Sequence, residues 1–125
     1  MTLETGLSAT VEMIVLESDT AIALRSGEVN VLGTPRLIAL CEEATVVALL
    51  GCMKPGCSTV GMRVQIDHLQ PTAVGHKVTA EAHLDKIEGR RLHFTVAARD
   101  ERGLVAAGKV TRVLIEIERF LEKTR

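Results

Sequence analysis

Gly33–Leu50 reads GTPRLIALCEEATVVALL, and the rest of the chain is organised around it. The stretch is apolar almost all round, which suits a helix wrapped by other structure better than one lying on a surface. Thr34 is a fitting N-cap, and Pro35 suits the first helical position. Gly51 is a natural terminator, and Lys54-Pro55-Gly56 enforces the stop. The body spans about 15 residues, roughly 23 Å. Two adjacent carboxylates, Glu42 and Glu43, sit in its middle and need a reason.

Downstream the pattern changes to period two. Val60–Gln70 places Met62, Val64, Ile66 and His68 on one face, with Arg63, Gln65 and Asp67 on the other. Pro71–Gly75 breaks the run. His76–Ile87 places Val78, Ala80, Ala82 and Leu84 inward, and Arg91–Arg99 does the same with Leu92, Phe94, Val96 and Ala98. Glu88-Gly89-Arg90 and Asp100–Gly103 are hairpin turns. Leu104–Glu118 closes the set, and a change of inward parity between Val110 and Val113 predicts a bulge near Lys109–Arg112. Upstream, Thr10–Leu16 is a first strand. Glu17–Leu32 is a connector with turn signals and room for one helical turn or an edge piece.

The expectation is an α+β chain in a single domain over residues 1–125, with one long apolar helix wrapped by an antiparallel sheet of about five strands.

Composition narrows the function. The chain has 125 residues, 46% apolar and 25% charged, with a net charge of −1 and no basic run. Nothing in it resembles a nucleic-acid footprint. Phe94 and Phe120 are its only aromatics, too few for base-stacking platforms. The N-terminus lacks the charged-then-apolar pattern of a signal peptide, and no apolar stretch reaches the roughly 18 residues of a membrane span. Cys41, Cys52 and Cys57 read as free thiols of a reducing cytoplasm, with no zinc-type spacing around them.

Three residues stand out for chemistry. Glu42 has mostly apolar helical neighbours, whereas Glu43 lies toward Arg36. Both carboxylates can be solvated or paired with arginine at a helix edge. Alternatively, Glu42 is partly desolvated and serves as base or nucleophile. His68 shares an inward face with apolar residues, as a hydrogen-bonded core histidine or, beside a carboxylate, as a general base. His76 shares that inward parity, whereas His83 and His93 point outward. Thr34 lies at a helix N-terminus, whose amides and dipole suit a carbonyl or oxyanion. Thr34 and Glu42 are eight residues apart, about 12 Å along a helix. A site that uses both requires a second copy of the helix running antiparallel across a two-fold axis.

Strand, buried helix and four-stranded meander resemble the hot-dog fold of acyl-thioester enzymes, and more closely their fluoroacetyl-CoA thioesterase group. Thr34 and Glu42 match that group's Thr before the helix and Glu eight residues later. Gly61 and His68, within VGMRVQIDHLQPTAVG, match its Gly and its His seven residues on. The hairpin Glu88-Gly89-Arg90-Arg91-Leu92 and the ending VLIEIERF match as well. The resemblance runs over roughly Gly33–Lys123. It implies a thioester hydrolase with Thr34, Glu42 and His68 as catalytic triad. Gly61 then lines the acyl pocket, and Gly33 and Met62 are assigned to substrate binding beside it. It also implies a homodimer, or a tetramer built from it, with acyl-CoA along the interface, without metal or cofactor.

That group carries aromatic lid residues in the connector, and Glu17–Leu32 has none, so the expected substrate is a general acyl-CoA. A non-catalytic acyl-thioester-binding or scaffold protein is the alternative from another class. An acyl-CoA hydratase is a third reading, but its Asp-x-x-x-x-His helix pattern is missing here. No nucleic acid and no membrane are expected as partners, and the expected location is the cytoplasm.

Overall fold

Strict alternation of apolar and polar residues gives long strands, and tight turns pair the last three of them in sequence; the second strand pairs with the fifth and not with the third, so the expected four-stranded meander is one of three strands. In the computed structural model, which describes Thr2–Arg125, β1 (Ser8–Ile14) is followed by a short 3-10 turn, Glu17–Asp19. Next come α1 (Thr34–Ala48), β2 (Cys57–His68), β3 (Lys77–Glu88), β4 (Arg91–Asp100), β5 (Gly103–Glu116) and α2 (Ile117–Glu122). The strands form one antiparallel sheet in the order β1-β3-β4-β5-β2, with β1 and β2 at the edges.

Register lines up the inward residues in rows that cross the sheet. Leu84 pairs with Phe94, Phe94 with Val110 and Val110 with Val64. Two residues away, Ala82, Val96, Gly108 and Ile66 form the next row, and beyond it Ala80, Ala98, Ala106 and His68. The alanines and Gly108 keep this part of the sheet low, which makes room for a helix. Leu37, Leu40, Cys41, Ala44, Thr45 and Ala48 of α1 are buried, at a spacing that puts them on one helical face. With Phe94, Leu84, Leu92, Val96 and Val110 they form the core.

The inward sets expected on β3 and β4 are buried throughout. Several boundaries differ. β1 and β2 each begin earlier than the alternation suggests, β3 runs Lys77–Glu88, and β5 yields to α2 after Glu116. The parity of β5 does not change at Lys109–Arg112. Arg112 pairs with inward Leu92, so it occupies an inward position itself. A charged residue there looks like a broken alternation. A bulge does lie at Thr111–Arg112, but its extra residue is on the paired strand: β2 gains Met62 between Gly61 and Arg63. Elsewhere β5 gains Val105 opposite the Ala98–Arg99 step, and β3 gains Asp85 between Leu84 and Lys86. Met62 is thus the extra residue of the bulge, whereas Val64, Ile66 and His68 share the inward side as expected.

The helix is wrapped on one face only. Val46 is 44% and Leu50 63% exposed, so an apolar stripe at and just beyond α1 lies bare. His76 is exposed and pairs with Glu101 rather than facing the helix. No helix among the described residues is long and apolar enough to cross a membrane.

Candidate active site

The start of α1 is not capped by Thr34. Gly33 holds the N-cap position, and its carbonyl accepts the amides of Arg36 and Leu37. Thr34 is therefore the first helical residue, with Pro35 second, and its hydroxyl is free for another partner. That partner is His68, whose Nδ1 lies 2.8 Å from Thr34 Oγ1. Burial holds the imidazole below its ordinary pKa, with the nearby Gln70 backbone opposing the shift. The ring is then neutral at pH 7. Its Nε2 is buried and has no hydrogen-bond partner among the described residues. A neutral imidazole with one nitrogen engaged and the other unpartnered can take or give a proton there.

The connector fixes this corner. The Leu16 amide donates to Asp19 Oδ2 over 2.8 Å, and Arg36 Nε lies 3.3 Å from Asp19 Oδ1. The Gly33 amide donates to the Asp19 carbonyl over 2.9 Å. A Cβ on Gly33 would stand 2.9 Å from Leu24 Cδ1 and 3.1 Å from the Ala21 nitrogen, so glycine lets the connector cross the helix start closely. Arg36 thus belongs to Asp19 and not, as its helical position suggests, to Glu43, which is exposed.

Glu42 lies elsewhere. Its Oε2 is 3.6 Å from Arg112 Nη1, with the Glu42 side chain 35% and that of Arg112 8% exposed. Arg112 also donates through Nε to Thr59 Oγ1 over 2.8 Å and through Nη2 to the Thr59 carbonyl over 3.1 Å. Burial lowers the arginine's pKa and the Glu42 charge opposes that shift, but a guanidinium stays charged. Gly61 faces the same carboxylate: a Cβ there would stand 2.5 Å from Glu42 Oε2. Arg112 is the residue missed from sequence. Its signal was a charge where the inward alternation calls for an apolar side chain. Next along the helix, burial and the Glu42 charge push the Cys41 thiol up to about 11, so this cysteine is no nucleophile at neutral pH.

The structure therefore brings Thr34 to His68, and Glu42 to Gly61 and Arg112, as two separate groups. They stand eight residues apart on α1, about 12 Å. Beneath them on β5 the partners of His68 and Gly61, Ala106 and Arg112, are six residues apart.

A helix packed on one side of a five-stranded antiparallel sheet in this order is the hot-dog architecture. The chain belongs to the fluoroacetyl-CoA-specific thioesterase (FlK) family, whose sequence pattern matches residues 15–118. It is 34% identical over 96 residues to the fluoroacetyl-CoA thioesterase of Streptantibioticus cattleyicolor, covering 77% of this chain and 69% of that one. A crystal structure of fluoroacetyl-CoA thioesterase FlK superposes with a TM-score of 0.94 at 28% identity, covering 100% of this chain and 97% of that chain. A point mutant of FlK in complex with fluoroacetate and CoA superposes at 0.88 and 28% identity, covering 94% and 99%. A Thermus thermophilus thioesterase superfamily member shares the fold at 0.90 with 24% identity, over 98% of this chain and 90% of that one.

Proposed function

We propose that this chain hydrolyses an acyl-CoA thioester to the free acid and CoA, at a site completed by a second copy of itself. Membership of the thioesterase family supports the reaction. The observation that carries the residue roles is the 2.8 Å Thr34–His68 contact at the helix start, beside a ring nitrogen without a partner.

Hydrolysis adds water across the C–S bond. An oxygen nucleophile attacks the carbonyl carbon, the carbonyl oxygen takes up negative charge, and the thiolate leaves with a proton. Glu42 supplies the carboxylate that attacks or draws a proton from water. His68 carries the proton to the sulfur, held in place through Nδ1 by Thr34. The amides at the α1 start lie where a developing oxyanion gains most. Water is the only co-reactant, so the reading calls for no metal or cofactor.

Two features support the second copy. Glu42 is too far from Thr34 and His68 to share a carbonyl with them in one chain, and an antiparallel helix across a two-fold axis closes the gap. The surface beside Glu42 is also apolar and uncovered, with Val46, Leu50 and, on edge strand β2, Met62 at 46% exposure. Free edges and bare apolar stripes of this kind are what a symmetric partner covers. Gly61, Met62 and Gly33 surround the acyl group in this arrangement. Three free cysteines and a CoA-linked substrate favour the reducing cytoplasm.

The test is release of free CoA from a panel of acyl-CoAs, read by a thiol reagent. The native chain is expected to release thiol, and Glu42→Ala and His68→Ala to lose at least about a hundredfold in kcat while staying folded. Hydration without thiol release, or near-native turnover by both variants, overturns the reading.

A further inference from the structure

Thr34 opens α1 and His68 ends β2, so their contact depends on what holds those two ends together. The segment after His68 does this. Its Thr72, four residues on, is 2% exposed. The Thr72 carbonyl accepts the Leu32 amide over 2.9 Å, and Leu32 stands two residues before Thr34. Val31 and Ala73 form a β-bridge beside this bond. The run from His68 to Thr72, the bond to Leu32, Gly33 and the Thr34–His68 contact thus close one short ring.

The β4–β5 hairpin holds this ring from outside. The Thr72 hydroxyl donates to Asp100 Oδ2 over 2.8 Å, while Asp100 Oδ1 accepts the Arg102 amide over 2.8 Å. Both carboxylate oxygens are engaged, and the second bond fixes the side chain to its own turn. Val105, the extra residue of the β5 bulge, accepts the Leu69 and Gln70 amides at its carbonyl, over 2.7 and 3.2 Å. A bulge takes its extra residue out of the ladder, which frees this carbonyl for the chain after His68. The hairpin therefore grips that chain twice, by a bulge carbonyl and by a carboxylate. A third tie, His76 to Glu101, joins the same two segments, but its side chains are 49% and 67% exposed, and water can replace either partner. Thr72 is buried, so without Asp100 its hydroxyl would lose its partner at a cost that water does not relieve.

We propose that Thr72 and Asp100 are positioning residues, through which the β4–β5 hairpin sets the Thr34–His68 contact. Neither is a catalytic residue; both act through the segment after His68. The inference rests on the thioesterase reading for what the contact is used for, and adds to it what holds the histidine in place. A pair that only stabilised the fold would change the melting temperature alone. A positioning pair changes the His68 ring within the folded protein.

Thr72→Val, with Thr72→Ser and Asp100→Ala beside it, tests this. For the acyl-CoA turned over fastest, kcat of the folded Thr72→Val protein should fall about tenfold with KM moving less than about twofold, because a small displacement of a reacting group is costly. Thr72→Ser keeps the hydroxyl and should restore most of kcat. Asp100→Ala should act as Thr72→Val does, and it carries the test if the valine variant does not fold. The second readout is an NMR titration of the His68 ring, which needs no substrate. Burial lowers the pKa of this ring, so a loosened ring should titrate at higher pH in Thr72→Val and Asp100→Ala and as in the native protein in Thr72→Ser. An unchanged His68 titration overturns the inference and leaves the pair a stability device, and native kcat in both variants does the same. If the native protein cleaves no acyl-CoA but the His68 titration shifts as described, the thioesterase reading falls and the positioning role stands.

Discussion

Arg112 holds its guanidinium 3.6 Å from the carboxylate of Glu42, from a sheet position that the alternation reserves for the core. The arginine is anchored from behind by Thr59, so it cannot follow if the carboxylate moves. Arg112→Gln should leave Glu42 without its counter-charge and lower kcat by about tenfold or more, roughly 1.4 kcal/mol in the barrier. Because Glu42 is a third exposed, water compensates part of the lost pairing, and thermal stability should fall by less than about 2 kcal/mol. Arg112→Lys keeps the charge and should recover part of kcat. Parallel kinetics and calorimetric melts check both. Unaltered turnover in the Gln variant would show that the pair is structural only.

Gly61 works by what it lacks. A methyl group there would lie 2.5 Å from Glu42 Oε2, and the far end of a glutamate side chain can swing away. Gly61→Ala should therefore fold normally, with a melting temperature close to the native one, yet lose most of its activity. A misplaced reacting group costs about a hundredfold. Full activity would mean that the carboxylate does not act from the position observed.

The pH profile follows from His68. Burial lowers its pKa, so the neutral form persists to more acid pH than in a free imidazole. If neutral His68 is needed to accept a proton, activity falls only as pH drops through that lowered value. The acid limb of kcat/KM should therefore lie below about 6.5. In Thr34→Val the ring loses its Nδ1 partner, and the limb should shift as kcat drops. An acid limb well above about 6.5 contradicts a desolvated base at this position.

Gly108 has a structural task. A Cβ on it would lie 2.0 Å from the Gln65 carbonyl oxygen and 2.7 Å from the Ile66 Cα, so β5 and β2 meet there without room for a side chain. The obstacle is backbone, which cannot swing aside. Gly108→Ala should destabilise by about 3 kcal/mol or more, at or beyond the upper end for overpacking. Denaturant unfolding measures this, and a loss below about 1 kcal/mol would mean that the two strands separate easily. Since β2 carries Gly61 and His68, the variant should lose activity together with stability.

The sheet was readable wherever alternation was strict, as in Val78–Leu84 and Leu92–Ala98. There the buried face is written in every second residue. Reading failed at Arg112 for the same reason: one charge on the inner face looks like a register change, and its partner Glu42 sits on another element, far away in the chain. Thr-Pro is an ordinary helix opening, so the local pattern points to Thr34 as the cap. The true cap is Gly33, which the crossing of Leu24 and Ala21 requires and no local pattern records. The Thr34–His68 contact joins residues 34 apart in the chain, a distance that periodicity does not span. Family motifs pointed to both residues.

The separation of Glu42 from Thr34 and His68 makes a quantitative prediction. If each site takes Glu42 from one protomer and the Thr34–His68 pair from the other, Glu42→Gln and His68→Gln homodimers are both inactive. In a mixed dimer both substitutions fall on one site and leave the other intact. Random exchange makes half the dimers mixed, each with one working site, so an equimolar mixture should regain about one quarter of native activity. Unfolding and refolding the two variants together, then assaying against each refolded alone, performs the measurement. Sedimentation should give a mass of at least two chains. Activity no greater than the sum of the separate variants, in a mixture shown by mass spectrometry to contain mixed dimers, would place the whole site within one chain. A monomeric native protein that is fully active would do the same.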